Sequence, residues 1–308
     1  MPTVSLVVRP PRGRRLRTVV YSHGWFDLPP FEWDDACGVL TAVGRVDGRP
    51  TTVRVREGGG VLKVEASRAG RRTSQFEEGV RRLVRSMLGL DVEVEEFYRA
   101  AGPSYEWARR IGAGPFLRSA SAFEDAVKML ATTNCSWSLT RQMVARLVET
   151  LGDPAPGGRR AFPTAERMAE APLSFYRESI RAGYRSRYFR ELAEGVARGG
   201  VEPESWPGFA GASEELAREI RRCPGLGRYA AENLCKLFGR FDGLGLDSWC
   251  LKKFPLVHGP VRGDVEAAIV RRYERYGRWK GLALWLDLTR DWHARGVSID
   301  ASVGFQKT

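Results

Sequence analysis

The chain has 308 residues, 43% of them hydrophobic and 28% charged, which is ordinary for a soluble globular protein of one or two domains. Lys and Arg outnumber Asp and Glu by 49 to 37, and the formal net charge of +12 modestly favours a polyanionic partner. No apolar run approaches the ~20 residues of a membrane span and no signal-peptide core is present, so we expect a cytoplasmic protein without a membrane partner.

The usage of cysteine and histidine indicates a reduced, intracellular chain without zinc. The five cysteines are odd in number and scattered along the sequence, as in proteins that form no disulfides. Only three histidines are present, and they form no zinc-binding constellation.

The first third of the chain predicts an antiparallel sheet. Its β-rich runs are residues 3–8, 16–22, 38–46, 51–57 and 61–67. Asp47-Gly48 and the three glycines at 58–60 supply hairpin turns between them. Helical runs at 76–88 and 92–101 complete an α+β N-terminal domain, which we place at residues 1–111.

From Tyr105 onward the apolar spacing is helical, and residues 112–308 are predicted to form an all-α domain. The predicted helices lie near 122–130, 138–151, 164–170, 173–182, 184–198, 213–222, 229–239, 264–276 and 279–293. Gly- and Pro-rich loops at 153–160 and 199–211 interrupt them.

Residues 215–249 predict a helix, a glycine hairpin, a second helix and a loop that presents Asp247. Pro224 and Gly225 end the first helix, since proline lacks an N–H donor and glycine accepts turn dihedrals. Gly225 and Gly227 leave backbone N–H groups bare at the start of the second helix, which predicts a phosphate site.

This segment resembles the hairpin and catalytic aspartate of the helix-hairpin-helix DNA glycosylases. Three more segments resemble the 8-oxoguanine and 3-methyladenine glycosylase group: 132–137, 183–188, and 278–281 leading to Trp285. The resemblance implies a TATA-binding-protein-like N-terminal domain. Some family members carry a four-cysteine iron–sulfur cluster after the aspartate. Here only Cys250 follows it, so we expect no cluster.

By this resemblance, Asp247 stabilises the positive charge that builds on the sugar when a glycosidic bond breaks. The alternative is that Asp247 merely caps the next helix. Bifunctional members carry a lysine nucleophile where this chain has Tyr229, and Lys236 lies ~10 Å further along the helix. We therefore expect a monofunctional enzyme that uses water.

The resemblance also implies DNA contacts from Asn134, Tyr184, Arg185, Gly225, Gly227 and Arg228. Asn134 and Tyr184 would fill the gap left by a flipped base, and Arg185 would contact the orphaned partner base. The alternatives are a turn-forming asparagine and an aromatic core anchor. Leu139 replaces an arginine that reads an opposite cytosine, which puts that preference in doubt.

The implied base pocket contains Tyr229, Asn233, Gly281 and Trp285, with Trp285 as the stacking surface. Periodicity alone would make Trp285 a core residue. Gly281 occupies the position at which family members recognise the base with a glutamine, so the sequence does not identify which damaged base is removed. The backbone carbonyls of Arg221, Cys223 and Leu226 would hold a structural Na⁺ or K⁺, and no other cofactor is expected.

The sequence therefore predicts a monomeric DNA glycosylase that removes an oxidised or alkylated purine from duplex DNA. One alternative is a glycosylase-lyase with a relocated amine. The other is a DNA-binding module without catalytic activity.

Overall fold

The computed structural model describes residues 3–71 and 73–295. Five antiparallel strands form a sheet in the order β1-β5-β4-β3-β2. They are β1 (Thr3–Val8), β2 (Glu32–Asp34), β3 (Val39–Val46), β4 (Arg49–Gly58) and β5 (Val61–Arg68). The predicted hairpin β4–β5 is confirmed, with Val53 opposite Ala66 and Val55 opposite Val64, all buried.

The predicted strand at 16–22 is wrong, because that run begins with helix α1, Leu16–Val20. Leu16, Val19 and Val20 are buried at helical spacing. Glu57 of β4 accepts the backbone N–H of Leu16 at 2.9 Å and so satisfies one donor at the helix start. A contact from a distant strand therefore stabilises a helix in a run rich in β-branched residues.

Twelve further α-helices follow within the described residues. They are α2 (Ser74–Met87), α3 (Glu95–Ala101), α4 (Glu106–Ile111), α5 (Ala122–Thr132), α6 (Trp137–Leu151), α7 (Ala165–Glu170), α8 (Ser186–Ala197), α9 (Ser213–Ile220), α10 (Arg228–Leu237), α11 (Ser248–His258), α12 (Val265–Tyr273) and α13 (Lys280–Arg295). A short two-stranded hairpin, β6 (Pro154–Ala155) and β7 (Arg159–Arg160), lies in the loop predicted at 153–160.

The helical character predicted after Tyr105 is confirmed, with two helices missed and one altered. The sequence interpretation omitted α4 and α11, and α11 contains Pro255, a residue that usually ends a helix. Residues 173–182 were predicted as one helix, but Phe175–Ser179 form a π-helical turn instead.

Buried contacts join the sheet region to the helices across the predicted boundary at residue 111. Trp25 Nε1 donates to Asp125 Oδ1 at 2.8 Å, and His23 Nε2 lies 2.6 Å from the Leu117 carbonyl oxygen. The mixed architecture agrees with the α+β prediction, while the domain limits and the TATA-binding-protein likeness stay predictions. Within the described residues, no helix is both long enough and apolar enough to cross a membrane.

Candidate active site

The predicted hairpin lies between α9 and α10, and its two glycines differ in their surroundings. Gly225 has φ +83, and a Cβ there would lie 2.7 Å from Leu130 Cδ1 and 2.8 Å from Tyr188 Cβ. Gly227 precedes α10 with extended backbone, and a Cβ there would meet nothing within 4 Å. Gly227, the N-cap residue of α10, has no side chain to cap the helix. Its first N–H groups therefore remain available to an anion.

The carbonyls proposed for a monovalent cation lie in the same hairpin. The Cys223 carbonyl accepts the N–H of Leu226 at 3.1 Å, which leaves one lone pair for another partner. Burial raises the pKa of the Cys223 thiol to about 11, so this side chain is a neutral thiol at neutral pH. The cation site, with Arg221 and Leu226, stays a prediction.

Asp247 ends the loop of residues 238–247, here named the aspartate loop, and caps α11. Its Oδ1 accepts the backbone N–H of Cys250 at 2.7 Å. The cap uses Oδ1, the Cys250 thiol also interacts with this carboxylate, and the side chain is half-buried. The cap therefore occupies only one of the two carboxylate oxygens.

Three side chains of α10 hold the backbone of the aspartate loop. Glu232 Oε2 accepts the N–H of Gly245 at 2.6 Å, and Asn233 Nδ2 donates to the Gly245 carbonyl at 3.0 Å. Lys236 Nζ donates to the Leu244 carbonyl at 2.8 Å. We name these three hydrogen-bonding residues the loop clamp. They fix the aspartate loop to the second hairpin helix.

The glycines of the aspartate loop allow the loop clamp to approach closely. A Cβ at Gly243 would lie 2.8 Å from Glu232 Cγ, and one at Gly245 would lie 2.6 Å from Asn233 Nδ2. Gly245 also has φ +56, in the left-handed region that favours glycine. A residue with a side chain at either position would push the loop away from α10.

Tyr229 lies one turn before Asn233 on α10 and is half-buried. Burial raises the pKa of its phenol, and the negative charge of Asp247 raises it further. The phenol is therefore neutral at physiological pH. The effect of Asp247 on this phenol places the carboxylate within electrostatic range of the second hairpin helix.

Trp285 of α13 lies in a cluster of three tryptophans, here named the tryptophan triad, with Trp249 and Trp292. Their ring centroids are 5.5–5.8 Å apart, and all three rings are half-buried. Trp249 is two residues from Asp247, so the triad adjoins the carboxylate. Trp285 Nε1 donates to the Ser22 carbonyl at 2.7 Å, which brings a segment of the sheet region into the site.

Gly281 was predicted to line the base pocket, but the structure places it against the aspartate loop. Its N–H donates to the Phe241 carbonyl at 2.8 Å. A Cβ at position 281 would collide with the Gly243 carbonyl oxygen. The residue is buried, and its role in this structure is to let α13 touch the aspartate loop directly.

Asn134 and Tyr184 lie together on the surface. Asn134 has φ +46, and its Nδ2 lies 3.2 Å from Tyr184 Oη. Tyr184 is 54% exposed, which excludes the alternative of a core anchor. Its exposed ring can meet an external partner.

Arg185 occupies a different environment from the one expected for a residue that contacts a base. It is only 4% exposed, and its guanidinium donates to the carbonyls of Thr133 and Ala182. It also lies under the Tyr184 ring, 4.6 Å from the centroid. In this structure Arg185 joins the turn that carries Asn134 to the segment that carries Tyr184.

Arg228 begins α10 and is exposed at the hairpin. Its Nε donates to Glu232 Oε1 at 2.7 Å, so one carboxylate bonds both Arg228 and the aspartate loop. The ion pair with Glu232 raises the pKa of Arg228. The outer guanidinium nitrogens remain available for a phosphate.

Sequence reasoning missed four residues of the site: Glu232, Lys236 in the loop clamp, and Trp249 and Trp292 in the triad. The available signal was the spacing of 232, 233 and 236, which places their side chains on one side of a helix. The alternating glycines at 243 and 245 were a second signal, since glycine often marks close approach of backbone to another group.

The architecture matches solved structures of DNA glycosylases. A 3-methyladenine DNA-glycosylase from Archaeoglobus fulgidus is 21% identical, with a TM-score of 0.72 over 94% of this chain and 99% of that one. The apo 8-oxoguanine glycosylase/lyase of Clostridium acetobutylicum is 16% identical, with a TM-score of 0.70 over 92% and 96%. The structure of the same enzyme with double-stranded DNA containing cytosine opposite 8-oxoguanine is 17% identical, with a TM-score of 0.70 over 95% of this chain and 96% of that one. No protein-family model and no curated protein sequence matches the chain. This chain therefore has the fold of the 8-oxoguanine and 3-methyladenine DNA glycosylases.

Proposed function

We propose that this protein is a DNA glycosylase that hydrolyses the bond between a damaged purine and its deoxyribose in duplex DNA. The observation that carries the proposal is Asp247, half-buried with one oxygen outside the helix cap, on a loop that α10 clamps beside the hairpin. A capping aspartate without catalytic function does not require such a clamp. The names of the structural neighbours, an 8-oxoguanine glycosylase/lyase and a 3-methyladenine DNA-glycosylase, support a damaged purine as the substrate.

The proposed reaction adds water across the glycosidic bond. The bond electrons leave with the base, and positive charge builds on C1′. Oδ2 of Asp247 would stabilise that charge and orient a water for attack on C1′. The water supplies a hydroxyl to C1′ and a proton to the departing base, which leaves an abasic site.

The proposed enzyme is monofunctional because the position of the lyase nucleophile holds Tyr229. A phenol cannot form an imine with C1′, and the raised pKa of Tyr229 also keeps it from acting as a phenolate. The Lys236 amine is buried and donates to the Leu244 carbonyl. We therefore expect it to stay away from the sugar.

The DNA would lie across the hairpin and the Asn134–Tyr184 surface. The bare amides of α10 and Arg228 would bind phosphates, which makes affinity fall steeply with salt. Asn134 and the exposed Tyr184 ring would occupy the space of the flipped nucleotide. Arg185, held by carbonyls, would keep that pair in place rather than contact a base.

A base-release assay tests the proposal. Duplexes carrying 8-oxoguanine, hypoxanthine, 3-methyladenine or uracil are incubated with the protein, with and without alkali. The expected result is release of a purine and strand breakage only after alkali. Breakage without alkali, with a protein–DNA adduct trapped by borohydride, would favour the lyase alternative. Duplex binding without release of any base, unchanged by Asp247→Asn, would favour the non-catalytic module.

A further inference from the structure

Lys236 of the loop clamp is a buried cation to which the proposed mechanism assigns no contact with the substrate. It is 2% exposed, and burial lowers the pKa of its amine. Of its three N–H donors, one meets the Leu244 carbonyl, and no other described residue accepts from it. The negative charges of Asp247 and Glu232 partly offset the cost of burying this amine, and two of its N–H donors have no acceptor among the described residues.

The ammonium lies against the surface on which a base would stack. Lys236 Nζ is 5.6 Å from the centroid of the Trp285 ring. The charge of Asp247 acts on both Tyr229 and Lys236, and Lys236 lies about two turns further along α10 than Tyr229. With the sugar beside Asp247 at the start of α10, Lys236 would lie deeper in the site, on the side that the base enters.

We propose that the Lys236 ammonium beside Trp285 is a specificity-determining group that favours neutral damaged purines over positively charged alkylated purines. The inference rests on the proposed glycosylase function and narrows its substrate class. Electron-rich indole rings by themselves attract cations. Here the Lys236 ammonium already lies beside the Trp285 ring. A cationic base stacked on that ring would therefore be repelled by a like charge in a desolvated site. A neutral base with a carbonyl oxygen would instead gain a charge-assisted hydrogen bond from a spare N–H donor.

The test uses two guanine lesions that carry the same O6 carbonyl and differ in charge, neutral 8-oxoguanine and cationic 7-methylguanine. Base-release rates are measured for the full-length wild type and for Lys236→Met, and the ratio of the two rates is compared between proteins. Differences in leaving-group chemistry cancel in this comparison. Lys236→Gln serves as a second neutral variant, and Lys236→Arg retains the charge. Lys253→Met is the matched control, because the Lys253 amine is largely buried but pairs with Asp291 at 3.0 Å.

The expected result is a preference for 8-oxoguanine that falls about tenfold or more in both neutral variants. Lys236→Arg and Lys253→Met should retain it, and thermal unfolding checks that each variant is folded. Purine release with a preference that neither neutral variant changes would overturn this inference and leave the proposed function standing. Release of no purine by the wild type would overturn the proposed function, and this inference with it.

Discussion

Glu232 and Gly245 are joined by a hydrogen bond of 2.6 Å, in which Oε2 of the helix α10 carboxylate accepts a backbone N–H two residues before Asp247. The position of the candidate catalytic carboxylate is therefore set by the second hairpin helix. A direct hydrogen bond therefore joins the segment proposed to hold DNA to the segment proposed to act on the sugar.

The first prediction concerns this bond. Glu232→Ala leaves the Gly245 N–H without its partner, which should lower the free energy of unfolding by about 1–3 kcal/mol. Base release should fall further than duplex affinity does, because the aspartate loop is loosened while the hairpin amides remain. Single-turnover rates and DNA titrations separate the two effects. Glu219→Ala is the control, because it removes an exposed ion pair between Glu219 of α9 and Arg222. It should change neither the free energy of unfolding nor the rate of base release. Equal effects of the two substitutions would contradict the role of the clamp.

Asp247 and Asp264 offer a matched pair of capping aspartates. Asp264 caps α12 through the N–H of Glu266 at 2.9 Å. Asparagine caps a helix about as well as aspartate, so both Asp→Asn variants should keep wild-type stability within about 0.5 kcal/mol. Asp247→Asn should lose about 10²- to 10³-fold in the rate of base release, and Asp264→Asn should lose nothing. Similar rates of base release in the two variants would show that Asp247 only caps α11 and has no catalytic role.

The hairpin glycines separate stability from DNA binding. Gly227→Ala introduces a Cβ into open space at an ordinary backbone conformation, so the melting temperature should stay near that of the wild type. Its methyl group would lie beside the bare amides and should weaken duplex binding. Gly225→Ala should destabilise the fold by more than about 1 kcal/mol, because φ is +83 and Leu130 and Tyr188 crowd the position. Calorimetry and DNA titration measure the two effects. Unimpaired duplex binding by Gly227→Ala would argue against a phosphate at the hairpin.

His23 predicts a pH dependence of stability. Burial lowers its pKa from 6.5 to about 4, so the folded protein favours the neutral ring. Its contribution to stability is fully present above pH 6.5 and is lost as pH falls from 6.5 to 4, up to about 3 kcal/mol. His23→Gln should lack this loss. Urea unfolding of both proteins at several pH values gives the difference, which removes the contributions of other groups.

Among those other groups, Glu124 changes stability in the opposite direction over a largely overlapping pH range. Burial raises its pKa to about 7, so its charging costs folded stability as pH rises from 4.5 to 7. A difference between wild type and His23→Gln that is constant from pH 7 to pH 4 would contradict the assignment to His23.

The hairpin could be predicted from the sequence because its signals are local. Pro224 and the glycines at 225 and 227 impose a turn wherever they occur, and the paired strands β4 and β5 follow from alternation and a glycine turn. Helix α1 was mistaken for a strand because Glu57, distant in sequence, satisfies its first N–H. The missed α11 contains a proline that its surroundings tolerate.

The spacing of 232, 233 and 236 places the three side chains of the loop clamp on one side of α10, but the segment they hold and the burial of Arg185 could not be predicted from the sequence, for a different reason. Glu232, Asn233 and Lys236 look like ordinary polar positions of a surface helix until the aspartate loop folds back onto them. Arg185 looks exposed and basic until the carbonyls of Thr133 and Ala182 are brought to it. These contacts depend on tertiary geometry, which the spacing of residues does not encode.

The tryptophan triad gives the site an optical reporter that needs no added label. Indole rings in mutual contact couple their electronic transitions, so the aromatic circular dichroism of the native protein should carry a contribution that Trp249→Phe or Trp292→Phe removes. A nucleobase that enters beside Trp285 would quench its emission. The arrival of a base at Asp247 could therefore be followed in real time, separately from the cleavage that comes after it.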